Sequence, residues 1–548
     1  MKTVVRLFLI LLILLLAIVL LGSFFVSYQS LIINIQQTTD NLGIRLDVPN
    51  LLSPLNFILL RIGLFTLNLA LLYIAIFNFG WFYNYVKLFF HYIFQAFGNV
   101  WKDIKSKEAV AVLAIPFIAS VYFGLTIPVS YDEVWTYLEF TSKPFYHCMV
   151  YYPYPNNHVL HSLITNLTDC LPFFDILFKI RIPVILVSLL TWCIAYSFLK
   201  KYYSAKVALF VVAIFSVAFR SVYYSFLSRG YGYILLFFVI ALYAAYNIVY
   251  KGNRKKDWMF FIISGILGCY ALPSFLYPFA TINLFVFIYN YKKVVVQIKA
   301  NVITGFFVLL LYTPIFMTSG FKAISNNQFV SPEHRTRFDV LFESPSFFFE
   351  MLENFFKIPS VIVFIVILVA FLWVVYLRKK DRIVLWLVFL ITPFILLFLH
   401  SVIPFHRTFI YYCFVIVFLV GISFQEVLNK LSKTYLLISL LFIQVISVIH
   451  FKLNIAEDEA FNTYANDVTD KILEKDKTYI INYPHIIFTA IQKGYNIDNI
   501  KVEEGPDISW ANADTIYNYD YVAIFKLNDR TEKRKPFYSN KMMNVYKK

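Results

Sequence analysis

Charge is what this chain is poorest in: of 548 residues only 15% are Asp, Glu, Lys or Arg, while 60% are hydrophobic and the mean hydropathy is +0.69. A soluble globule has no interior able to hide that much apolar surface, so a water-soluble enzyme or binding module is excluded. Acidic residues are scarcest, 32 against 48 Lys and Arg, but the resulting charge of +16 does not describe a nucleic-acid binder. The basic residues fall in short clusters between apolar runs and form no single stripe, a distribution that membrane topology explains. Cysteine is rare too, at 5. Cys193, Cys269 and Cys413 lie in apolar runs as small core residues. Cys148 and Cys170 share an outer segment where an oxidising compartment permits a bridge, with two free thiols as the plainer alternative. No internal repeat, low-complexity tract or Gly/Ser linker divides the chain, which leaves one membrane domain followed by a tail. Among aromatics Trp is scarce, at 8, while Phe (60) and Tyr (40) carry the total to 20%, as suits lipid-facing helices whose ends sit at headgroup level.

What is present is apolar length. Runs at 4–28, 55–79, 109–127, 178–199, 207–223, 231–249, 258–272, 275–289, 302–318, 358–377, 383–400, 408–424 and 435–450 read as about thirteen membrane-spanning helices, the pair around Pro273 being broken by that residue. The first run follows a basic start, as a signal peptide does, but its apolar core is long and no small-residue cleavage site ends it, so it reads as a retained span. Lys2 and Arg6, then Lys102 with Lys105 and Lys107, Lys200 with Lys201, Arg254 with Lys255 and Lys256, Lys292 with Lys293, and Arg378 with Lys379 and Lys380 mark alternate connections. By the positive-inside rule those are cytoplasmic, and so is the N-terminus. The segments 128–172, 220–229, 320–357 and everything after His450 are then outside. From Ala456 the composition turns polar and acidic, with helix-like 458–475, strand-like 478–483, helix-like 485–493 and strand-like 521–527, enough for a small α/β domain of roughly ninety residues.

The candidate functional residues are polar groups at the outer ends of helices. Tyr131-Asp132-Glu133-Val134-Trp135 follows the third run, and with Leu138 it makes a short amphipathic helix that carries two acids at its start. Asp132 as general base and Glu133 as its aid is one reading; a helix cap at Asp132 with Glu133 in the first turn is the other. Farther along, Asn157 is placed to cap a helix that carries His158 and His161 on one face. That pair, with Asp132 or Glu133, has donor types suited to zinc or manganese, yet interfacial histidines bonded to their neighbours are the plainer account of it. Ser228-Arg229-Gly230-Tyr231 opens the sixth run and Phe405-His406-Arg407 opens the twelfth. Each offers a guanidinium able to fork a phosphate, Tyr231 adding a phenol, or alternatively an anchor to lipid headgroups.

In their order along the chain these words resemble the GT-C superfamily of integral-membrane glycosyltransferases, especially the protein O-mannosyltransferases and the aminoarabinose transferases of lipid A. The likeness covers about 107–450: Asp132-Glu133 outside an early helix, a long outer loop (128–172), Arg229-x-Tyr231 opening a later helix and His406-Arg407 a late one. The chain departs from that pattern in placing two spans and the aromatic segment 81–99, together 1–106, ahead of the Asp-Glu helix. The resemblance implies an all-α polytopic membrane protein with a small extracytoplasmic α/β domain at 451–548, in a bacterial inner membrane. It implies transfer of a sugar from a polyprenyl-phosphate donor to a glycan, lipid or protein acceptor on the outer face. Asp132 and Glu133 would be the catalytic pair, Arg229, Tyr231, His406 and Arg407 would hold the donor phosphate, and Asn157, His158 and His161 would contact donor or acceptor. A monophosphate donor asks for no cofactor and no metal. A transporter or flippase of lipid-linked saccharides, or a non-catalytic partner of envelope-polymer assembly, is the alternative. A transporter should show a repeat or a charged path through the membrane middle, and the sequence has neither.

Overall fold

The computed structural model describes residues 2–41, 53–152, 155–320, 322–325, 336–502, 518–526 and 535–548. Every one of the thirteen apolar runs is helical, and the chain is an integral membrane protein by the length and composition of its helices. Among the described residues eight helices are long and apolar enough to cross a bilayer, or up to ten if each of two bent pairs counts as one span. Helix length alone does not confirm the expected thirteen. Lys255–Ala271 and Ser360–Tyr376 have 17 residues each and Tyr411–Ser423 has 13, short of the roughly 20 that about 30 Å of hydrocarbon requires. The run at 207–223 is two helices, Ala205–Ser216 and Phe219–Phe226, meeting at 72°. The stretch Pro273–Ser319 is helical over 47 residues, yet Gln297 Nε2 donates to Asn283 O at 2.7 Å. In a straight helix residues 14 apart lie about 21 Å apart, so the chain reverses at Tyr291–Lys293.

The chain forms two compact units. The first holds residues 1–102 with 150–153 and 310–326. In it Lys2–Phe25 packs along Pro54–Phe77, with Leu9 and Ile13 against Leu71, Ile74 and Phe79. The Arg61 guanidinium donates to Ser23 O and lies 4.1 Å from the centre of the Phe57 ring, a placement that satisfies a charge among apolar side chains. The helix Phe79–Ile104 sets Asn84, Lys87, His91 and Gln95 on one stripe and Phe82, Val86, Phe89, Ile93 and Phe97 opposite, as an interfacial helix does.

The second unit holds the rest. Phe219–Phe226 and Tyr411–Ser423 are buried throughout; Ile176–Tyr202 packs on Tyr231–Lys251, and Lys107–Thr126 and Lys433–Asp458 pack on Ala205–Ser216 and on each other. Lys433–Asp458 continues into the tail through the helix Ala460–Ile472. The tail's sheet has the order β2-β1-β3-β5-β4, with β1 (Tyr479–Ile481) parallel to both β2 (Ile500–Val502) and β3 (Tyr521–Phe525). The strands β5 (Met543–Lys547) and β4 (Tyr538–Ser539) add antiparallel. The helix His485–Gln492 follows β1 as expected; β2, β4 and β5 have no counterpart in the sequence reading, and Leu527, the expected end of β3, lies outside the described residues. The tail docks on one end of the helices. Phe488 meets Tyr137 with ring centres 5.3 Å apart, and Gln492 Nε2 donates to both carboxylate oxygens of Asp175, the cap of Ile176–Tyr202.

Candidate functional site

The Asp-Glu word forms a six-residue helix, Tyr131–Thr136, on the tail-bearing side of the bundle. Its cap is Ser130, whose Oγ accepts from Glu133 N while Glu133 Oε2 accepts from Ser130 N. Asp132 is therefore not the cap, and the helix-cap reading of that residue is wrong: a reciprocal Ser/Glu box at 130 and 133 satisfies the same donors. The box leaves the Asp132 carboxylate for other work. Glu133 is wholly buried and fully engaged. Arg181 Nε and Nη2 meet its two oxygens at 2.8 and 2.6 Å, and Ser228 N donates at 2.8 Å. The remaining Arg181 donors reach Gly124, Ile127 and Pro128 carbonyls, so this pair ties three segments together at the base of the site. Burial would raise the Glu133 pKa, but the Arg181 charge and these hydrogen bonds hold it below the ordinary carboxylate value.

Asp132 has a different neighbourhood. Its side chain is 31% exposed, Oδ2 lies 3.2 Å from Arg407 Nη1 and 3.6 Å from Arg229 Nη2, and it stands in the wall of a 680 Å³ cavity. Burial pushes its pKa up, while the two guanidinium charges outweigh that effect and keep the carboxyl below its ordinary value. Arg229 and Arg407, 178 positions apart, thus converge on one carboxylate oxygen. They are not equivalent. Arg229 is buried behind Asp132 and donates through Nη1 to Asp132 O, Thr136 Oγ1 (2.8 Å) and Asn156. Arg407 stands in the cavity wall, 37% exposed, its guanidinium 4.6 Å from the Phe405 ring centre. His406, also in the wall, stacks on Phe347 and approaches Glu350 Oε2 at 3.5 Å. Burial lowers its pKa against the pull of Glu350. Tyr231 packs its ring on Tyr224 and His158.

The outer-loop residues serve as supports. Asn157 does not cap the following helix, Val159–Asp169, whose cap position is His158. Its Nδ2 donates to Cys148 O and its Oδ1 accepts from Ser162 Oγ. His158 Nδ1 accepts the Gly230 N–H at 2.7 Å, with Arg229 beside Nε2. His161 Nε2 pairs with Ser228 Oγ, and burial pushes its pKa down to about 3. Gly230 belongs to the same contact: a Cβ there would fall 2.9 Å from the His158 Cβ. Among the described residues no group of three or more His, Cys, Asp or Glu is placed to hold a metal. Cys148 is buried, Cys170 is exposed, and both are free.

Two contributions lay beyond the sequence reading. Arg181 is one, and its signal was a charge inside the apolar run 178–199. Arg220 is the second: buried in the cavity wall, it pairs with Asp458 (2.7 Å), Glu459 (3.3 Å) and Asn354 Oδ1 (2.9 Å). The tail supplies Glu459, Phe461, Asn462, Asn482 and Phe525 to the cavity. Asn462 Oδ1 accepts from Tyr131 N at 2.7 Å, and Asn466 Nδ2 donates to Val129 O, so the tail holds the residues on either side of the cap. Of the outer segment 320–357, residues 321 and 326–335 lie outside the described residues. No family model matches the chain, and no curated protein matches it.

Proposed function

We propose that this chain is a membrane glycosyltransferase that moves a sugar from a polyprenyl-phosphate donor to an acceptor hydroxyl at the tail-bearing face, which is the outer face of a bacterial plasma membrane. The observation that supports it most is the state of Asp132: an ionised carboxylate in a cavity wall, freed from capping, beside an arginine that can trade it for another anion. In a single displacement the acceptor oxygen attacks the anomeric carbon and the bond from that carbon to the phosphate oxygen breaks. The electron pair leaves on the lipid phosphate, the hydroxyl proton passes to Asp132, and configuration inverts. Arg407 neutralises charge growing on the phosphate, and in moving to the donor it uncovers the carboxylate it had masked. Arg229 stays behind Asp132 and, with Glu133 and Arg181, fixes its position. His406 and Tyr231 flank Arg407, Asn157, His158 and His161 brace the outer loop, and no step calls on a metal.

Two substitutions separate these roles. Asp132→Asn leaves the cap intact and removes the base, so transfer falls by roughly a hundredfold or more while a fluorescent polyprenyl-phosphate sugar still binds. Arg407→Ala weakens donor binding as well as turnover. Near-normal transfer by folded Asp132→Asn protein ends the assignment.

A further inference from the structure

The tail's sheet reverses direction where it meets the cavity. From β1 the chain passes through the helix His485–Gln492 to β2 on one flank, while β3 lies on the other flank, all three strands being parallel. In open α/β sheets the gap between two such strands, at their carboxyl ends, is where connections part and leave a crevice for a ligand. Here Asn482 directly follows β1 and Phe525 ends β3, and both line the cavity that holds Asp132.

The chemistry of this wall narrows the ligand. The Phe461 and Phe525 rings lie 5.5 Å apart at 34°, and Tyr131 meets Phe461 edge-on at 5.7 Å, giving flat apolar faces. The same wall carries the amides of Asn462 and Asn482 and the Glu459 carboxylate. An acyl chain gains nothing from a carboxylate and two amides, whose desolvation it would have to offset. A pyranose has an apolar C–H face for aromatic rings and a belt of hydroxyls that both donate and accept, which matches amide and carboxylate partners. At 680 Å³ the cavity falls within the roughly 300–1,000 Å³ of small-molecule sites.

We propose that the carboxyl edge of the tail's parallel strands is a saccharide-binding subsite, and that the acceptor is therefore a glycan. The word acceptor rests on the transferase reading; the binding of a saccharide does not. The full-length chain in lipid nanodiscs is applied to an array of defined oligosaccharides, Ser/Thr-containing peptides and lipids. Affinities for the retained probes are then measured for wild type, Phe525→Leu, Glu459→Gln and, as a control on the exposed tail surface, Lys541→Ala. Each variant is first matched to wild type in thermal unfolding. The expected result is retention of at least one oligosaccharide, weakened about tenfold or more by Phe525→Leu and by Glu459→Gln and unchanged by Lys541→Ala. The proposal is overturned if the folded protein retains no oligosaccharide, if both variants bind it as wild type does, or if the retained, Phe525-dependent probe is a peptide or a lipid. Saccharide binding without any detectable transfer would leave the subsite standing and remove the transferase reading.

Discussion

Asp132 and Glu133 are adjacent in sequence and opposite in circumstance, and two predictions at the residue scale follow from that contrast. Removing the Arg181 guanidinium leaves Glu133 buried, charged and unpaired, a situation that costs about 3–5 kcal/mol. Arg181→Ala should therefore sharply lower the thermal unfolding midpoint or abolish folded protein. Arg407→Ala, which breaks a pair about one-third exposed on each side, should move it little, since such pairs contribute about 0–1 kcal/mol. Equal loss in both variants would contradict the division of labour between the two acids. The pH dependence has a definite sign. Both carboxyls have pKa values lowered by folding, so the stability they contribute is complete above the ordinary carboxylate pKa and is lost as pH falls through the lower, folded values. The unfolding midpoint should begin to fall below about pH 6.5, because buried His161, with its pKa pushed down to about 3, stays neutral while the unfolded chain takes up protons, and the two carboxyls add their loss below about pH 4. The acid limb of kcat/KM, which reports the free enzyme, should likewise fall below about pH 4 if Asp132 is the base. An acid limb near pH 6 would point to a histidine instead.

At the scale of elements, the short helix Tyr131–Thr136 depends on a segment more than 300 residues away. Asn462 Oδ1 is the acceptor for Tyr131 N, next to Asp132. Asn462→Leu keeps the volume but leaves that N–H without its partner, at a cost of about 1–3 kcal/mol. Turnover should fall about tenfold or more with donor affinity nearly unchanged; loss of donor affinity alone would show that the tail shapes the donor site and does not position Asp132. This dependence also explains what the sequence could reveal. Apolar runs are local signals, so the helices of the thirteen runs were legible, as were Asp132, Arg229 and Arg407 at helix ends, whereas the less apolar helix Arg337–Phe356 was not. The count of thirteen spans is not confirmed, because apolar length does not report a bend at Val217 or a helix of 13 residues enclosed by others. The reversal at Tyr291–Lys293 matches a gap between two expected spans, marked by Lys292 and Lys293. The strands β2 and β4 have three and two residues, too few for an alternating pattern. Partnerships such as Arg220 with Asp458 or Tyr131 with Asn462 are set by tertiary approach and leave no local trace.

For the whole molecule, the groups proposed for chemistry and the docked tail gather on one side, while Lys200 with Asp103 and Lys433 with Glu108 mark the other. The positive-inside rule assigns that second side to the cytoplasm. Reporter fusions at Lys105, Lys255 and Lys379 should read cytoplasmic and one at Lys548 external; an internal reading at Lys548 would put the cavity on the wrong side for an extracytoplasmic transferase. The central claim is that the protein breaks a glycosyl–phosphate bond and does not merely carry its substrate. A flippase moves a lipid-linked sugar and leaves it whole. The most direct measurement is therefore release of free polyprenyl phosphate when purified protein in nanodiscs is supplied with polyprenyl-phosphate sugars and oligosaccharide acceptors. The account predicts release from at least one donor that Asp132→Asn reduces by roughly a hundredfold or more. Donor that binds and remains intact with every acceptor, or release that Asp132→Asn leaves unchanged, would contradict it.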